Sequence, residues 1–296
     1  MRVGVAGLGK MGAAIAARLL ECGHEVIVWN RSVDKTKPLA ETGAKVATSP
    51  VELVGQSEVI ATILTDAAAV DAVYHGPAGL LSADVAGKLF IEMSTVQPQT
   101  EIELAEKVRA GNAAFIECPV SGTTGPARQG KLFGLAGGTG VDFERAKPLL
   151  EQMCRRVEHC GDVGSGSGMK LAINLPLMIY WQALGEALAI SRHLNIEPSR
   201  MIDIIADTSG ASTAVKNRGQ NIAAWLGGGD FGPVTFNLDD ARKDIRTMIA
   251  EGKSRGVDLP LIETTLACFD EASGAGYGQG DGSGQAVFWS RRGKPA

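Results

Sequence analysis

The 296-residue sequence predicts an α/β domain built on a parallel sheet, followed by an all-α domain, with one long helix joining the two. Three observations carry this. Short apolar runs alternate with helical patterns from Arg2 to about Cys160. A glycine turn lies between the first apolar run and the first helix. After Gly161 a second glycine-rich turn opens an apolar stretch from about Gly166 to His193, and every later segment reads as helix. The expected division is therefore residues 1–161 and residues 162–296, the second part beginning with the long helix at about 166–193.

Arg2–Ala6 is a buried strand, followed at once by Gly7-Leu8-Gly9-Lys10-Met11-Gly12 and an alanine-rich helix to Cys22. Strand, glycine turn and helix in that order are the context of a Rossmann-type dinucleotide-binding domain. Gly7 permits the tight turn, Gly9 lets the backbone approach a pyrophosphate, and Gly12 lets the helix pack close to the strand. The helix N-terminus then holds phosphates through its free N–H groups and dipole.

Glu25–Trp29 is the second strand, and its end bears on the cofactor. A domain preferring NAD carries an acid here for the ribose 2′-hydroxyl. This chain has Asn30-Arg31-Ser32, with Lys35 one turn on. A carboxylate would repel a 2′-phosphate, whereas Arg31 can pair with it through two parallel hydrogen bonds. NADP(H) is therefore expected in preference to NAD(H); the alternative is that Arg31 is a solvated surface charge.

The alternation continues with strands at Ala44–Ala47, Glu58–Leu64, Lys88–Glu92, Ala114–Glu117 and Leu132–Ala136. Helices are expected at Pro50–Gly55, Ala67–Tyr74, Pro98–Arg109 and Asp142–Met153. Ligands of an open α/β sheet lie at the carboxyl ends of its strands, so Leu64, Thr65 and Thr95 fall where a dinucleotide would run. The segment Pro119-Val-Ser121-Gly122-Thr123-Thr124 offers hydroxyls and backbone N–H groups able to hold a carboxylate in a nest of donors, or it is an ordinary turn cluster.

In the long helix Lys170 and Asn174 stand four apart and share one face, one turn apart. Apolar residues lie nearly all round this helix, which suggests burial on several sides and an assembly of two or four copies. A lysine near the positive end of a helix is unexpected. Taken alone, Lys170 either snorkels to solvent or is held by a partner. Pro176 should kink the helix. Helices follow at Pro198–Asp207, Thr213–Leu226, Phe236–Glu251 and Pro260–Ala272, and the glycine-rich tail from Ser273 to the end is expected to be solvated and mobile.

Composition narrows the classes further. Net charge is -4 with no basic tract, which argues against nucleic acid as a partner. The five cysteines are odd in number and match no metal spacing, which suits buried thiols in a reducing compartment. The longest uncharged run, Leu171 to Gly185, is shorter than the roughly 20 residues of a membrane span, and no signal peptide precedes the first strand. A cytoplasmic protein without a membrane segment is expected.

Together these segments resemble the β-hydroxyacid dehydrogenase family over nearly the whole chain. The resemblance rests on Gly-Leu-Gly-x-Met-Gly at Gly7–Gly12, Pro-Val-Ser-Gly at Pro119–Gly122, the spaced set Gly161, Gly164, Gly166, Lys170 and Asn174, and Lys243-Asp244. It implies that Lys170 is catalytic, with Asn174 bonding the substrate beside it. It implies that Ser121, Gly122 and Thr123 hold the carboxylate of a small substrate, and that Thr95 and Lys243 contact the cofactor. Departures from the family pattern surround the expected substrate: Glu117-Cys118 for the usual Asp-Ala, Thr123 for a common glycine, Ile173 for a frequent asparagine, and Pro176.

The implied chemistry is coherent. Interconverting an alcohol and a carbonyl moves a hydride, which nicotinamide carries, and a proton, which Lys170 can take or give. Two other readings share the architecture: an imine reductase, which generally lacks the lysine, and a non-catalytic NADPH-binding protein.

Overall fold

The computed structural model describes residues 1–292; the end of the expected solvated tail, including Lys294, lies outside the described residues. The chain forms two compact units, Met1–Leu171 and the segment from Ala172 onward.

The first unit holds nine strands: β1 (Arg2–Ala6), β2 (Glu25–Trp29), β3 (Lys45–Val46), β4 (Val59–Thr62), β5 (Leu89–Glu92), β6 (Ala114–Glu117), β7 (Val120–Ser121), β8 (Leu132–Gly137) and β9 (Cys154–Gly161). They lie side by side in the order β3-β2-β1-β4-β5-β6-β8-β7, with β9 added on β8. From β3 to β6 every neighbour is parallel. Beyond β6 the direction reverses, since β8 is antiparallel to β6 and β7, and β9 is parallel to β8. The helices are α1 (Lys10–Glu21), α2 (Lys37–Glu41), α3 (Pro50–Gln56), α4 (Ala67–His75), α5 (Pro98–Ala110), α6 (Thr124–Arg128) and α7 (Gly140–Met153). The first seven residues of α8 (Ser165–Ser191) also belong to this unit.

The central strands are buried and apolar at most positions because helices cover both faces. Their side chains alternate between two cores. Ile91 and Ile116 pack with Ile15 and Leu19 of α1 and Leu149 and Leu150 of α7. Phe90 and Phe115 pack on the other face with Leu53 of α3 and Leu104 of α5.

The observed elements follow the expected alternation to within a few residues at most ends. Two strands were hidden: β7, two residues within the expected loop, and β9, which reads Cys-Arg-Arg-Val-Glu-His-Cys-Gly and is concealed by its exposed charges. An edge strand needs only one covered flank, so it tolerates such residues.

The second unit continues α8 and adds α9 (Pro198–Ala206), α10 (Thr213–Leu226), α11 (Leu238–Ser254), α12 (Pro260–Ala272) and α13 (Gly284–Ser290). Pro176 lies within α8, which runs through it as one helix. The expectation of a mobile tail from Ser273 is overturned. Residues Gln285, Ala286, Val287 and Ser290 of α13 are buried. Gly284 lies so close to the Trp225 ring that a Cβ would come within 2.6 Å of it. The tail's glycines thus serve close packing as well as turning. Among the described residues no helix is long and apolar enough to cross a membrane, and no group of three or more His, Cys, Asp or Glu could hold a metal ion.

Candidate active site

The carboxyl ends of β1, β2, β4 and β5 meet at the switch point between β1 and β4, where the strand order runs outward in both directions. Gly7 has φ +96°, and a Cβ there would lie 2.2 Å from the Ile63 carbonyl oxygen. At Gly12 a Cβ would stand 1.9 Å from the Gly7 carbonyl oxygen, so only glycine lets α1 come this near to β1. Gly9 has nothing within 4 Å of where a Cβ would sit. It caps α1 without a side chain, and the first turn of α1 carries no acid. These features fit a dinucleotide: open space at Gly9, and helix-end N–H groups that no cap competes for. Lys10 beside them is exposed and Met11 half-buried.

The Asn30 side chain ties the end of β2 to the glycine turn, its Oδ1 accepting from Leu8 N–H at 2.9 Å and its Nδ2 donating to the Ser32 carbonyl at 3.0 Å. Arg31, Ser32 and Lys35 are exposed on the loop that follows. Leu64 N–H donates to Ser94 Oγ at 2.8 Å. Ser94 in turn gives its N–H to Glu92 at 2.7 Å and its hydroxyl to the same carboxylate. The loops after β4 and β5 are therefore locked together, with Thr65 exposed and Thr95 half-buried on them.

Glu92 belongs to a buried acidic pair. Glu101, in the first turn of α5, is fully buried beside it. Burial and the neighbouring Glu92 charge push the Glu101 carboxyl well above the usual range, so it holds a proton. Burial also raises Glu92, while hydrogen bonds from Glu101 and Ser94 pull it down.

Past β6 the chain keeps its direction and continues along β8 as β7, with Val120 and Ser121 paired to Gly134 and Phe133 of β8. Gly122 follows at φ +128°, and Thr123 caps α6 without a side-chain bond. Ser121 and Thr123 are half-buried and Gly122 is exposed. Glu117, at the end of β6, is fully buried and receives four hydrogen bonds from the turn that opens α8. Burial pushes its carboxyl up to about 7 against those four bonds.

Lys170 and Asn174 on α8 are each 8% exposed, so Lys170 does not snorkel into solvent. Lys243, on α11 of the second unit, has its Nζ 2.6 Å from Asp244 Oδ1. No role for Glu92, Ser94 or Glu101 was foreseen from the sequence, and Glu117 stood out only as a departure from the family pattern. A signal was nonetheless present: adjacent strands β5 and β6 both end in Phe-Ile-Glu, in register with each other.

Known proteins share this fold. Residues 2–161 match the family model for the NAD binding domain of 6-phosphogluconate dehydrogenase. Residues 164–288 match the model for the NAD-binding segment of NADP-dependent 3-hydroxyisobutyrate dehydrogenase. Fold and glycine turn therefore define an NAD(P)-dependent oxidoreductase. Glyoxylate/succinic semialdehyde reductase 1 of Arabidopsis thaliana is 32% identical over 98% of this chain and 100% of its own length. The chain belongs to the β-hydroxyacid dehydrogenase family, as its motifs implied. A crystal structure of a 3-hydroxyisobutyrate dehydrogenase from Salmonella typhimurium superposes with a TM-score of 0.86 at 28% identity, covering 97% of this chain and 99% of that one. An imine reductase from Myxococcus stipitatus shares the fold at a TM-score of 0.66 and 22% identity, covering 97% of this chain and 99% of that one.

Proposed function

We propose that the protein interconverts a small β-hydroxy acid and its semialdehyde or keto acid, using NADP(H), with Lys170 as the general acid and base. The observation that carries this is a lysine 8% exposed in the second turn of α8. Long cations are rarely buried without a role. Bound nicotinamide supplies or accepts the hydride. In reduction the Lys170 ammonium donates a proton to the carbonyl oxygen, and in oxidation the neutral amine takes it from the hydroxyl. Asn174, one turn further along the same face, hydrogen-bonds the substrate beside Lys170. Ser121, Gly122 and Thr123 offer hydroxyl and backbone donors to the substrate carboxylate.

The preference for NADP(H) over NAD(H) is supported at the end of β2. The Asn30 side chain is committed to Leu8 N–H, Arg31 and Ser32 rather than an acid come directly after it, and Arg31 and Lys35 stand exposed for a 2′-phosphate. Thr95 and Lys243 complete the cofactor's contacts. The Arabidopsis relative's name favours a semialdehyde or glyoxylate as the carbonyl substrate. Exposed Ile190, Leu194 and Ile204 support an assembly of two or four copies, and five free cysteines support a reducing compartment such as the cytoplasm.

The test is NADPH oxidation against a panel of small semialdehydes and keto acids, with cyclic imines and NADH as controls. Turnover of a semialdehyde or keto acid, lost in Lys170→Ala, is the expected result. Turnover of cyclic imines alone would replace the proposal with an imine reductase.

A further inference from the structure

Glu117 ends β6 and is fully buried. A carboxylate in that setting persists only where donors fill its lone pairs. All of its hydrogen bonds come from one place. Oε1 accepts from Gly164 N–H at 2.6 Å and Gly166 N–H at 2.9 Å. Oε2 accepts from Ser167 N–H at 3.3 Å and from the Ser167 hydroxyl. Three of these four donors lie in the first turn of α8, whose N–H groups have no partner within the helix, and the negative group faces the positive end of its dipole. The first turn of α8 has no acid of its own. Gly166 is also pressed on β8, because a Cβ there would lie 2.2 Å from the Leu135 carbonyl oxygen.

On its other side Glu117 leads through Cys118 and Pro119 into Ser121. That backbone is pinned as well, with Cys118 N–H donating to the Glu92 carbonyl at 2.6 Å and Leu135 N–H to the Pro119 carbonyl at 3.0 Å. One carboxylate therefore joins the strand that feeds the Ser121–Thr123 loop to the helix turn three residues ahead of Lys170.

We propose that Glu117 is a positioning residue for proton transfer by Lys170. It fixes the start of α8, and so the place of Lys170 along the helix, relative to the loop that holds the substrate carboxylate. The inference rests on the roles given above to Lys170 and that loop. A displacement of about 1 Å at a reacting group costs on the order of 10²-fold in rate.

The test compares full-length wild type, Glu117→Gln, Ser167→Ala, Lys170→Ala and the double variant Glu117→Gln/Lys170→Ala. Probes are NADPH with succinic semialdehyde and glyoxylate, together with amide hydrogen exchange of the peptide spanning residues 162–171. Glu117→Gln is expected to keep its KM for NADPH within about 2-fold and to lose at least about 10-fold in kcat, the pattern of an interaction made in the transition state. Ser167→Ala, which removes one donor and keeps the carboxylate, is expected to lose about 3-fold, the effect of one modest hydrogen bond. The double variant should be no slower than Lys170→Ala, because the two residues act as one unit. Exchange of residues 162–171 should rise in Glu117→Gln, while peptides from β1 and α1 keep their protection.

Wild-type kcat in Glu117→Gln alongside an inactive Lys170→Ala would overturn the role of Glu117 alone. Multiplicative losses in the double variant would do the same, since they would separate Glu117 from Lys170. Near-normal turnover in Lys170→Ala would remove the reading on which the inference stands. Unchanged exchange at residues 162–171 overturns it without reference to any substrate.

Discussion

Arg218 of α10 reaches Asp281, 63 residues further along the chain, with one arm of its guanidinium and the Thr235 hydroxyl with the other, at 2.5 Å. The Asp281 side chain is 3% exposed and also accepts from Ser283 N–H at 3.1 Å and Ser283 Oγ at 2.8 Å. This fork holds the segment leading into α13 on the helical unit.

Removing one partner of such a pair leaves a buried charge unmatched. Arg218→Ala is expected to cost about 3–5 kcal/mol, read as a fall in the urea midpoint. Loss of protection in peptides covering α13, before the rest of the second unit opens, is the accompanying sign in hydrogen exchange. A midpoint within experimental error of wild type would mean that the tail is held by Trp225 and its aromatic neighbours instead.

The glycine turn offers a matched pair of substitutions. Gly12→Ala puts a methyl group 1.9 Å from the Gly7 carbonyl oxygen and is expected to destabilise the apo protein by at least about 1–3 kcal/mol. Gly9 has φ −65° and open space around it. Gly9→Ala should leave apo stability unchanged and weaken NADPH binding by about 10-fold or more, as the added methyl occupies the room needed for close backbone approach. Thermal scans with and without NADPH separate the two effects.

Lys170→Ala is expected to keep the fold and NADPH affinity and to lose at least about 10²-fold in kcat. Steady-state turnover with an active carbonyl substrate, beside a cofactor titration by fluorescence, measures both. Loss of cofactor binding in step with turnover would assign the residue to the cofactor instead.

Arg31→Ala is expected to raise the Kd for NADPH by about 10-fold or more while changing that for NADH little, because only the former carries the 2′-phosphate that a guanidinium pairs. Equal losses for both would sink the assignment.

The acidic pair sets a pH dependence whose sign follows from its proton. The folded state raises the Glu101 carboxyl well above its ordinary value, so between that ordinary value, about 4.3, and the raised one the native protein binds more protons than the unfolded chain. Its contribution to stability is complete below about pH 4.3 and is lost as pH rises through the raised value. Glu101→Gln keeps a neutral donor beside Glu92 and should flatten the decline in stability as pH rises above about 4.3. A wild-type protein and variant with parallel stability curves over that range would show that Glu101 is ionised in the native state.

Much of this architecture could be read from periodicity and glycine placement. Apolar runs of four or five residues ending at a turn, as in Arg2–Ala6 and Leu89–Glu92, have few alternatives to a buried parallel strand. The glycine turn is legible because Gly7 and Gly12 are fixed by contacts local to one strand and one helix. Lys170 drew notice because its charge contradicts its position. Glu92 and Glu101 did not, and Glu117 stood out only as a departure from the family pattern, because burial of an acid depends on donors far away in sequence: Glu117 meets Gly164, 47 residues on. The same holds for α13, whose small residues make a poor helical pattern and find their partners on α10 and α8.

The two rims of the sheet have a consequence for handling the protein. At one rim β3 is two residues long, and its Lys45 is paired with Glu25. At the other, β9 carries exposed Arg155 and Arg156 and half-buried Glu158. Both rims present charge to any strand that might join them, which discourages stacking of one molecule's sheet on another's. Concentrated solutions of the first unit's fold are therefore protected from fibrous aggregation by residues that take no part in its chemistry.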